Sequence, residues 1–200
     1  MRTAALAIAL FAIIGTARAQ TVVQPASVRE RVVVHERARL RGGFSLGGGL
    51  VTGRDVDVGG TGAIALRLGA QLNRWFAIQY QNSPTAFAFT PHEQNATIAG
   101  FIDTNSVLAA VDLGDHFEVG AGPSLDFAWL GGCDISTVRC DTSRGVAGGM
   151  HGRAAFLLGS REASTGRRVG FAIGVDAHPV FFPNADPVLL LNLNLGMDVY

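Results

Sequence analysis

The amino-acid sequence predicts an all-β fold, an eight-stranded antiparallel up-and-down barrel. Beyond the first 19 residues, apolar and polar side chains alternate repeatedly with a period of two, which is typical of strands whose two faces meet different environments. The same region lacks convincing helical periodicity. The predicted strands are residues 40–52, 61–72, 74–82, 97–113, 116–130, 146–159, 167–178 and 187–200.

The composition and charge exclude several classes of protein. Charged residues make up 16% of the 200 residues, below the roughly 25% of an ordinary globular domain, and there are 26 glycines. The basic residues, all of them arginine, and the acidic residues number 16 each, so the chain lacks the electrostatic signature of a nucleic-acid-binding protein. A hydrophobic content of 48% excludes a disordered chain.

The N-terminus has the three parts of a secretory signal peptide. Arg2 precedes an apolar run over residues 4–14 that is too short to cross a bilayer as a helix, and Ala17-Arg18-Ala19 matches a small-x-small cleavage site. We expect residues 1–19 to be removed, which leaves a mature chain with a net charge of −2. Residues 20–39 then form a periplasmic lead-in, or alternatively a plug, and residues 40–200 form the barrel domain.

The predicted strand that begins at His116 shows the alternation most clearly. Its apolar face carries Phe117, Val119, Ala121, Leu125, Phe127 and Trp129, and its other face carries Glu118, Gly120, Gly122, Ser124 and Asp126. Residues 168–178 and 187–200 repeat this division. Several strands exceed the usual length of about 5 to 6 residues and match the 9 to 11 residues that a tilted strand needs to cross a membrane.

The fourth predicted strand departs from a regular alternation. Its outward phase switches between Ile102 and Val107. Because an extra residue in one strand shifts the faces that follow it, we expect a β-bulge or a later start there.

The lengths of the connections predict a transmembrane barrel. Three connections are short, at residue 73, residues 114–115 and residues 160–166, and they alternate with longer loops at 53–60, 83–96, 131–145 and 179–186. An even-stranded membrane barrel has short turns on its periplasmic side and longer loops on its outer side, with both termini in the periplasm.

From about Leu40 the chain resembles the small eight-stranded outer-membrane β-barrel proteins of Gram-negative bacteria. The resemblance rests on the signal peptide, the alternation of turns and loops, aromatic residues near strand ends such as Trp75, Phe76 and Trp129, and a last strand that ends on Tyr200. Tyr200 departs from the family pattern, since it is in phase with Asp198 rather than with the apolar face. The resemblance implies outer-membrane lipid and the barrel-assembly machinery as partners, and loops available to an extracellular ligand.

A secreted, soluble barrel of lipocalin type is the competing fold, because alternation alone does not say which face is outside. The polar face of the predicted strands is rich in glycine, alanine, serine, glutamine and asparagine rather than in lysine and glutamate. Small residues suit a narrow, filled lumen, which favours the membrane barrel.

The charged residues of the polar face predict a network inside the lumen. The candidates are Arg67, Glu118, Asp126, Arg153, Asp176 and Asp198, with His151 and His178 in phase nearby. Buried charges require partners, and the interior of an eight-stranded barrel is just wide enough for side chains to fill. We therefore expect a salt-bridge network that plugs the barrel. The alternative is a polar conduit or a proton-sensitive site.

Enzymatic chemistry is not favoured by the motifs. The sequence contains no serine nucleophile elbow, no HExxH motif and no cysteine-rich metal spacing, so we expect no cofactor and no metal. His92 and Glu93 in the second long loop, near Ser83, are the nearest approach to a catalytic site at the rim, and exposed loop residues are the simpler interpretation.

Cys133 and Cys140 are the two cysteines of the chain, and both lie in the third predicted loop. In an exported protein, paired cysteines form a disulfide by default. A metal site would need more ligands, so we predict a Cys133–Cys140 disulfide.

The function that these features favour is a structural or surface-interaction protein of the outer membrane that is not an enzyme. A soluble barrel that binds a small apolar ligand is the first alternative, and a lipid-modifying membrane enzyme is the second.

Overall fold

Eight antiparallel strands form a closed barrel in the computed structural model, which describes residues 38–54, 56–90, 96–114, 116–134, 139–159, 168–183 and 186–199. The strands are β1 (Arg39–Gly53), β2 (Val56–Gln71), β3 (Phe76–Phe89), β4 (Ala96–Leu113), β5 (Phe117–Asp134), β6 (Arg139–Leu158), β7 (Val169–Phe181) and β8 (Val188–Val199). Each strand pairs with the next, and β1 closes the barrel by pairing with β8. The predicted fold class is confirmed.

Some predictions fall on other parts of the chain. The predicted signal peptide, Tyr200 and the lead-in up to residue 37 lie outside the described residues. The described residues contain no helix that is long and apolar enough to cross a membrane.

The connections between strands lie at two ends of the barrel. The terminal end carries the start of β1, the end of β8 and the connections at residues 72–75, 114–116 and 159–168. The loop end carries the connections at residues 54–55, 90–95, 135–138 and 182–187. In a membrane barrel with both termini in the periplasm, the terminal end is the periplasmic one.

The predicted sorting of connections by length is wrong. The β1–β2 connection at the loop end shortens to residues 54–55, whereas the β6–β7 connection at the terminal end extends over residues 159–168. The strands continue into the predicted loops, so that Asp134 of β5 still pairs with Arg139 of β6. Glycine and polar residues lower the strand propensity of these segments, but pairing within a hairpin satisfies their backbone hydrogen-bonding groups.

The wall of the barrel has its apolar face outside. Large apolar side chains such as Phe171 and Leu195 are 64% and 59% exposed, whereas the inward-facing Glu118 and Arg153 are 1% and 2% exposed. A soluble ligand-binding barrel has the opposite arrangement, with apolar side chains around its interior. The lipocalin-like alternative is therefore wrong, and the wall is that of a membrane barrel.

In the described residues, β4 begins at Ala96 and continues through its region of changed phase, so neither the bulge nor the later start expected from the sequence occurs. Its pairs with β3 keep one register from Phe76↔Val111 to Phe89↔Ile98. Ile102 faces inward and is buried, while Val107 faces outward and is exposed. The phase of the sequence changes because, near the loop end, the inward side of β4 becomes apolar and the outward side becomes polar. The backbone itself does not shift.

An inward-facing glycine lets β4 and β5 approach each other closely. A Cβ atom at Gly122 would overlap the carbonyl oxygen of Val107, which belongs to the neighbouring backbone and cannot swing aside. Gly62 is a useful contrast, because a Cβ atom there would meet no heavy atom within 4 Å. Replacement of glycine by alanine therefore has opposite consequences at Gly122 and Gly62.

We predict that Gly122→Ala lowers the free energy of unfolding by about 1–3 kcal/mol, because the added methyl group must displace the β4 backbone. Gly62→Ala is the matched control, and we expect it to be neutral or stabilising by up to about 1 kcal/mol, since glycine loses the most conformational freedom on folding. Urea unfolding of the barrel in lipid vesicles measures both. Equal stabilities of the two variants would contradict the close approach at Gly122.

Candidate functional site

The interior of the barrel is the candidate site, and its inward-facing side chains form three layers. The ionic layer, toward the terminal end, contains Arg41, Arg67, Asp112, Glu118, Arg153, Asp176 and Asp198. The histidine layer, above it, contains Ser106, Ser124, Asp126, His151 and His178. The apolar plug, toward the loop end, contains Val51, Phe87, Ile102, Ala128, Ala147, Val180 and Leu190.

Arg153 is the centre of the ionic layer. Its Nε lies 3.4 Å from Glu118 Oε1, and its Nη1 lies 3.2 Å from Asp176 Oδ1. Its Nη2 lies 3.6 Å from Asp198 Oδ2. One guanidinium group on β6 therefore joins carboxylates from β5, β7 and β8. The planar, five-donor guanidinium suits such a shared role better than an ammonium group would.

Two further arginines extend the layer to β1 and β2. Arg67 donates from Nε to Asp198 at 3.0 Å and from Nη1 to the Ser45 hydroxyl at 2.9 Å. Arg41 forms an ion pair with Glu118 and lies 3.8 Å from Asp112. Each arginine thus shares a carboxylate with another residue, which offsets the cost of removing these charges from water.

The structure places all of the lumen residues singled out from the sequence on the inward face. Arg67, Glu118, Arg153, Asp176 and Asp198 lie in the ionic layer, and Asp126 lies in the histidine layer. The sequence reasoning missed Arg41 and Asp112, which are equally buried. Their phase was an available signal, since Arg41 alternates with Leu40 and Asp112 alternates with Val111.

The histidine layer is a hydrogen-bonded cluster at the middle of the lumen. His151 Nδ1 lies 2.7 Å from the Ser106 hydroxyl, and its Nε2 lies 3.7 Å from Asp176. His178 Nε2 lies 3.0 Å from Asp126 Oδ2, and the two imidazole rings meet edge to face with centroids 5.2 Å apart. The layer joins β4, β5, β6 and β7 in the same way that the ionic layer joins its strands.

Ser106, His151 and Asp176 have the residue types of a catalytic triad, but their surroundings leave no room for a substrate. Ser106 and His151 are 0% and 2% exposed. The cavity beside them, lined by Thr104 and His178 among others, measures about 10 Å³. A cavity of that size holds about one water molecule. Ser106 and His151 are therefore enclosed among the side chains of the lumen.

Of the residues considered from the sequence for a rim site, Ser83 is the one that the structure describes. Ser83 lies inside the lumen, where its hydroxyl accepts a hydrogen bond of 2.9 Å from Gln81. His92 and Glu93 lie outside the described residues. Because Ser83 faces the interior, it does not take part in chemistry at the rim.

A polar patch on the outward face of β3 and β4 is a feature that the sequence reasoning did not identify. Asn82 donates to Asp103 at 2.6 Å and to the side-chain oxygen of Asn105 at 3.1 Å, and the Tyr80 hydroxyl also donates to Asn105. These groups lie on the same face as exposed Phe101 and Val107. Toward the loop end, β4 therefore has polar side chains on its outward face and the apolar Ile102 on its inward face. This is the reverse of the arrangement toward the terminal end.

Solved structures that are similar to this chain include small outer-membrane barrels. The crystal structure of Ail, the attachment invasion locus protein of Yersinia pestis, is similar with a TM-score of 0.50 at 10% sequence identity, over 82% of this chain and 98% of that one. The crystal structure of neisserial surface protein A (NspA) is similar with a TM-score of 0.50 at 11% identity, over 82% and 99% of the two chains. The fold is that of the small outer-membrane β-barrels.

At these identities the likeness concerns the fold alone. No protein-family model matches the sequence, and no curated protein matches it either. The function of this outer-membrane-type barrel must therefore be argued from its own interior and its own surface.

The backbone register places Cys133 of β5 directly opposite Cys140 of β6. Opposed residues of antiparallel strands have Cα atoms about 4.5–5.5 Å apart, which is within the range that a disulfide spans. The side chains of both residues lie outside the described part of the structure. The Cys133–Cys140 disulfide therefore stays a prediction, now with a compatible backbone.

We expect Arg153→Ala to lower the free energy of unfolding by about 3–5 kcal/mol, because it leaves three buried carboxylates without their shared partner. Arg39→Ala removes an exposed arginine at the terminal end and should change stability by less than about 0.5 kcal/mol. Urea titration in lipid vesicles, followed by electrophoresis of unheated samples, compares the two. Similar midpoints would show that the ionic layer contributes little to stability.

The disulfide is tested by labelling free thiols with a maleimide in the denatured, unreduced mature protein. We expect neither Cys133 nor Cys140 to react. Reduction, or the Cys133→Ser/Cys140→Ser variant, should lower the free energy of unfolding by about 2–3 kcal/mol in the chain-entropy description of so short a loop. Labelling of both thiols without prior reduction would refute the prediction.

Proposed function

We propose that this protein is an outer-membrane barrel with a closed lumen, which acts as a structural or surface-interaction protein rather than as a channel or an enzyme. The observation that carries the proposal is the filled interior. The ionic layer, the histidine layer and the apolar plug follow one another along the axis, and the cavity between the second and the third holds about one water molecule.

The apolar plug makes the closure complete with respect to ions. Val51 and Val180 are 0% exposed, and Ile102 and Leu190 are 1% exposed. Among the described side chains of this layer, a desolvated ion would meet only apolar groups, which costs far more than the thermal energy. The ionic layer has the opposite chemistry, but its carboxylates form ion pairs with arginines and its charged side chains are all buried.

The location in the outer membrane is supported by the fold and by the wall of the barrel. The exposed outward face is rich in leucine, valine, isoleucine and phenylalanine, as a lipid-facing band requires. The predicted signal peptide would supply the export step. With the termini in the periplasm, the loop end faces the outside of the cell, so the surface available to extracellular partners is the loop end.

A lipid-modifying enzyme is less well supported. The Ser106–His151 pair is the arrangement in the described residues that most resembles a nucleophile and its base, and it is enclosed between the ionic layer and the apolar plug. An acyl chain held in the membrane or at the outer surface cannot reach it without the barrel opening. The closed-lumen proposal requires no such opening.

Planar-bilayer recording of the purified barrel tests the closed lumen. We expect no steady conductance from the wild type or from Arg74→Ala, in which the lost arginine lies outside the barrel over the Trp75 ring. Insertion is verified by electrophoresis of unheated samples from the same preparation. A steady, ion-selective wild-type conductance that changes in Arg153→Ala but not in Arg74→Ala would show a path through the ionic layer and would overturn the proposal.

A further inference from the structure

The loop end of the barrel contains a cavity that the closed lumen does not explain. Its volume is about 390 Å³, and it lies where the strands rise beyond the apolar plug. Phe89, Leu130, Phe182 and Val188 line it and pack against the plug below. Because the plug forms its floor, the cavity is a dead end that opens to the outer surface.

The chemistry of the lining is that of a small-molecule site. Such sites are mainly apolar, have volumes of about 300–1,000 Å³ and carry a few polar groups that fix the orientation of the ligand. Phe87 and Phe89 stack with ring centroids 5.9 Å apart, so the aromatic wall continues down into the plug. A fixed aromatic wall suits a flat or extended apolar group.

The charges beside the cavity determine which sign of charge a ligand should carry. Arg54, in the β1–β2 turn, and Arg144, which opposes the outward-facing Trp129 and lies at the outer edge of the cavity, are exposed lining residues, whereas Asp186 is the carboxylate among the lining residues. The described lining therefore carries an excess of one positive charge. A ligand whose apolar part enters the cavity would bring its polar head to these guanidinium groups, and an anionic head would be attracted.

We propose that the loop-end cavity binds a small anionic amphiphile, with an apolar ring or chain against Phe89 and Phe182 and a carboxylate, sulfonate or phosphate at Arg54 and Arg144. This inference goes beyond the proposed function, which requires only that the lumen is closed. A closed plug is compatible with an empty or an occupied cavity, so the two proposals fail independently.

Arg144 also borders a second groove, and the test must separate the two. That groove lies on the outward face and is lined by Phe127, Trp129 and Val146. Methyl groups distinguish the sites, because Leu130 and Val188 line the loop-end cavity whereas Val146 lines the outward groove. Leu193 and Leu195 on the exposed lipid face report partition of a compound into the bilayer.

The experiment is methyl NMR of the full mature chain in lipid nanodiscs, titrated with three compounds of one shape. These are 2-naphthoate, the neutral 2-naphthalenemethanol and the cationic 2-naphthylmethylammonium. Decanoate, which has the same head as 2-naphthoate and an alkyl chain, distinguishes a lipid-derived ligand from an aromatic one. We expect saturable shifts at Leu130 and Val188 with at least one of the anions, weaker shifts with the alcohol and the weakest with the cation.

Three variants connect the shifts to the cavity. Arg54→Gln and Arg144→Gln should each weaken binding of the anion by about fivefold, as expected for an exposed charge interaction. Phe182→Ser, in a connection rather than a strand, should weaken it by about tenfold or more through loss of apolar contact. Arg74→Gln at the terminal end is the matched control and should bind as the wild type does.

Several results would overturn the proposal. Shifts at Leu130 and Val188 no larger than those at Leu193 and Leu195 would mean simple partition into lipid. Shifts confined to Val146 would assign the ligand to the outward groove. If the cation bound as tightly as the anions or more tightly, the two arginines would not select the charge of the ligand.

Discussion

The shared guanidinium of Arg153 is the interaction on which the interior of the barrel depends. Through Glu118 it is joined to Arg41, and through Asp198 it is joined to Arg67. Asp176 carries the connection to β3, because it accepts a hydrogen bond of 3.0 Å from Gln81. Gln71 donates to Asp112 at 2.9 Å and accepts from Arg41, which brings in β4. One continuous set of polar contacts therefore reaches all eight strands, and it fixes their relative positions inside the barrel as the backbone ladders do in its wall.

This network lies toward the terminal end of the barrel. The level at which it ends explains why the alternation of apolar and polar residues in β4 changes phase. Below this level, inward-facing positions of β4 carry Asp112 and Ser106, and the outward positions carry Val107 and Val111. Above it, Ile102 faces the apolar plug, while Asn82, Asp103 and Asn105 satisfy one another on the outer wall. Mutual hydrogen bonds lower the cost of polar groups on this wall, as they do for paired polar groups in a protein core. The apolar plug and the outward polar patch thus lie at the same part of β4, one on its inward face and the other on its outward face.

Much of the fold could be predicted because period-two alternation is a local property. The strands with a clean alternation, such as the one that contains Phe117 and Trp129, needed no tertiary information, and the predicted barrel is confirmed. The change of phase in β4 was misread as a bulge because alternation reports a difference between two faces and not which face is apolar. The extended hairpins were missed because Asp134 and Arg139 lie in segments of low strand propensity that are held by pairing. Single charges such as Arg41 could be placed by phase, but their partners depend on the register of distant strands.

The two ends of the barrel are held by different forces, and this difference bears on function. Toward the terminal end, substitution of one buried charge disturbs carboxylates on several strands at once. Toward the loop end, the plug is a single apolar layer, and the side chains beyond it, such as Arg54, Arg144 and Phe182, are not part of the ionic layer. Their replacement leaves the ionic layer intact, because residues without shared partners affect stability independently. The loop end can therefore change its chemistry while the barrel stays folded, which is the property that a surface for extracellular partners needs.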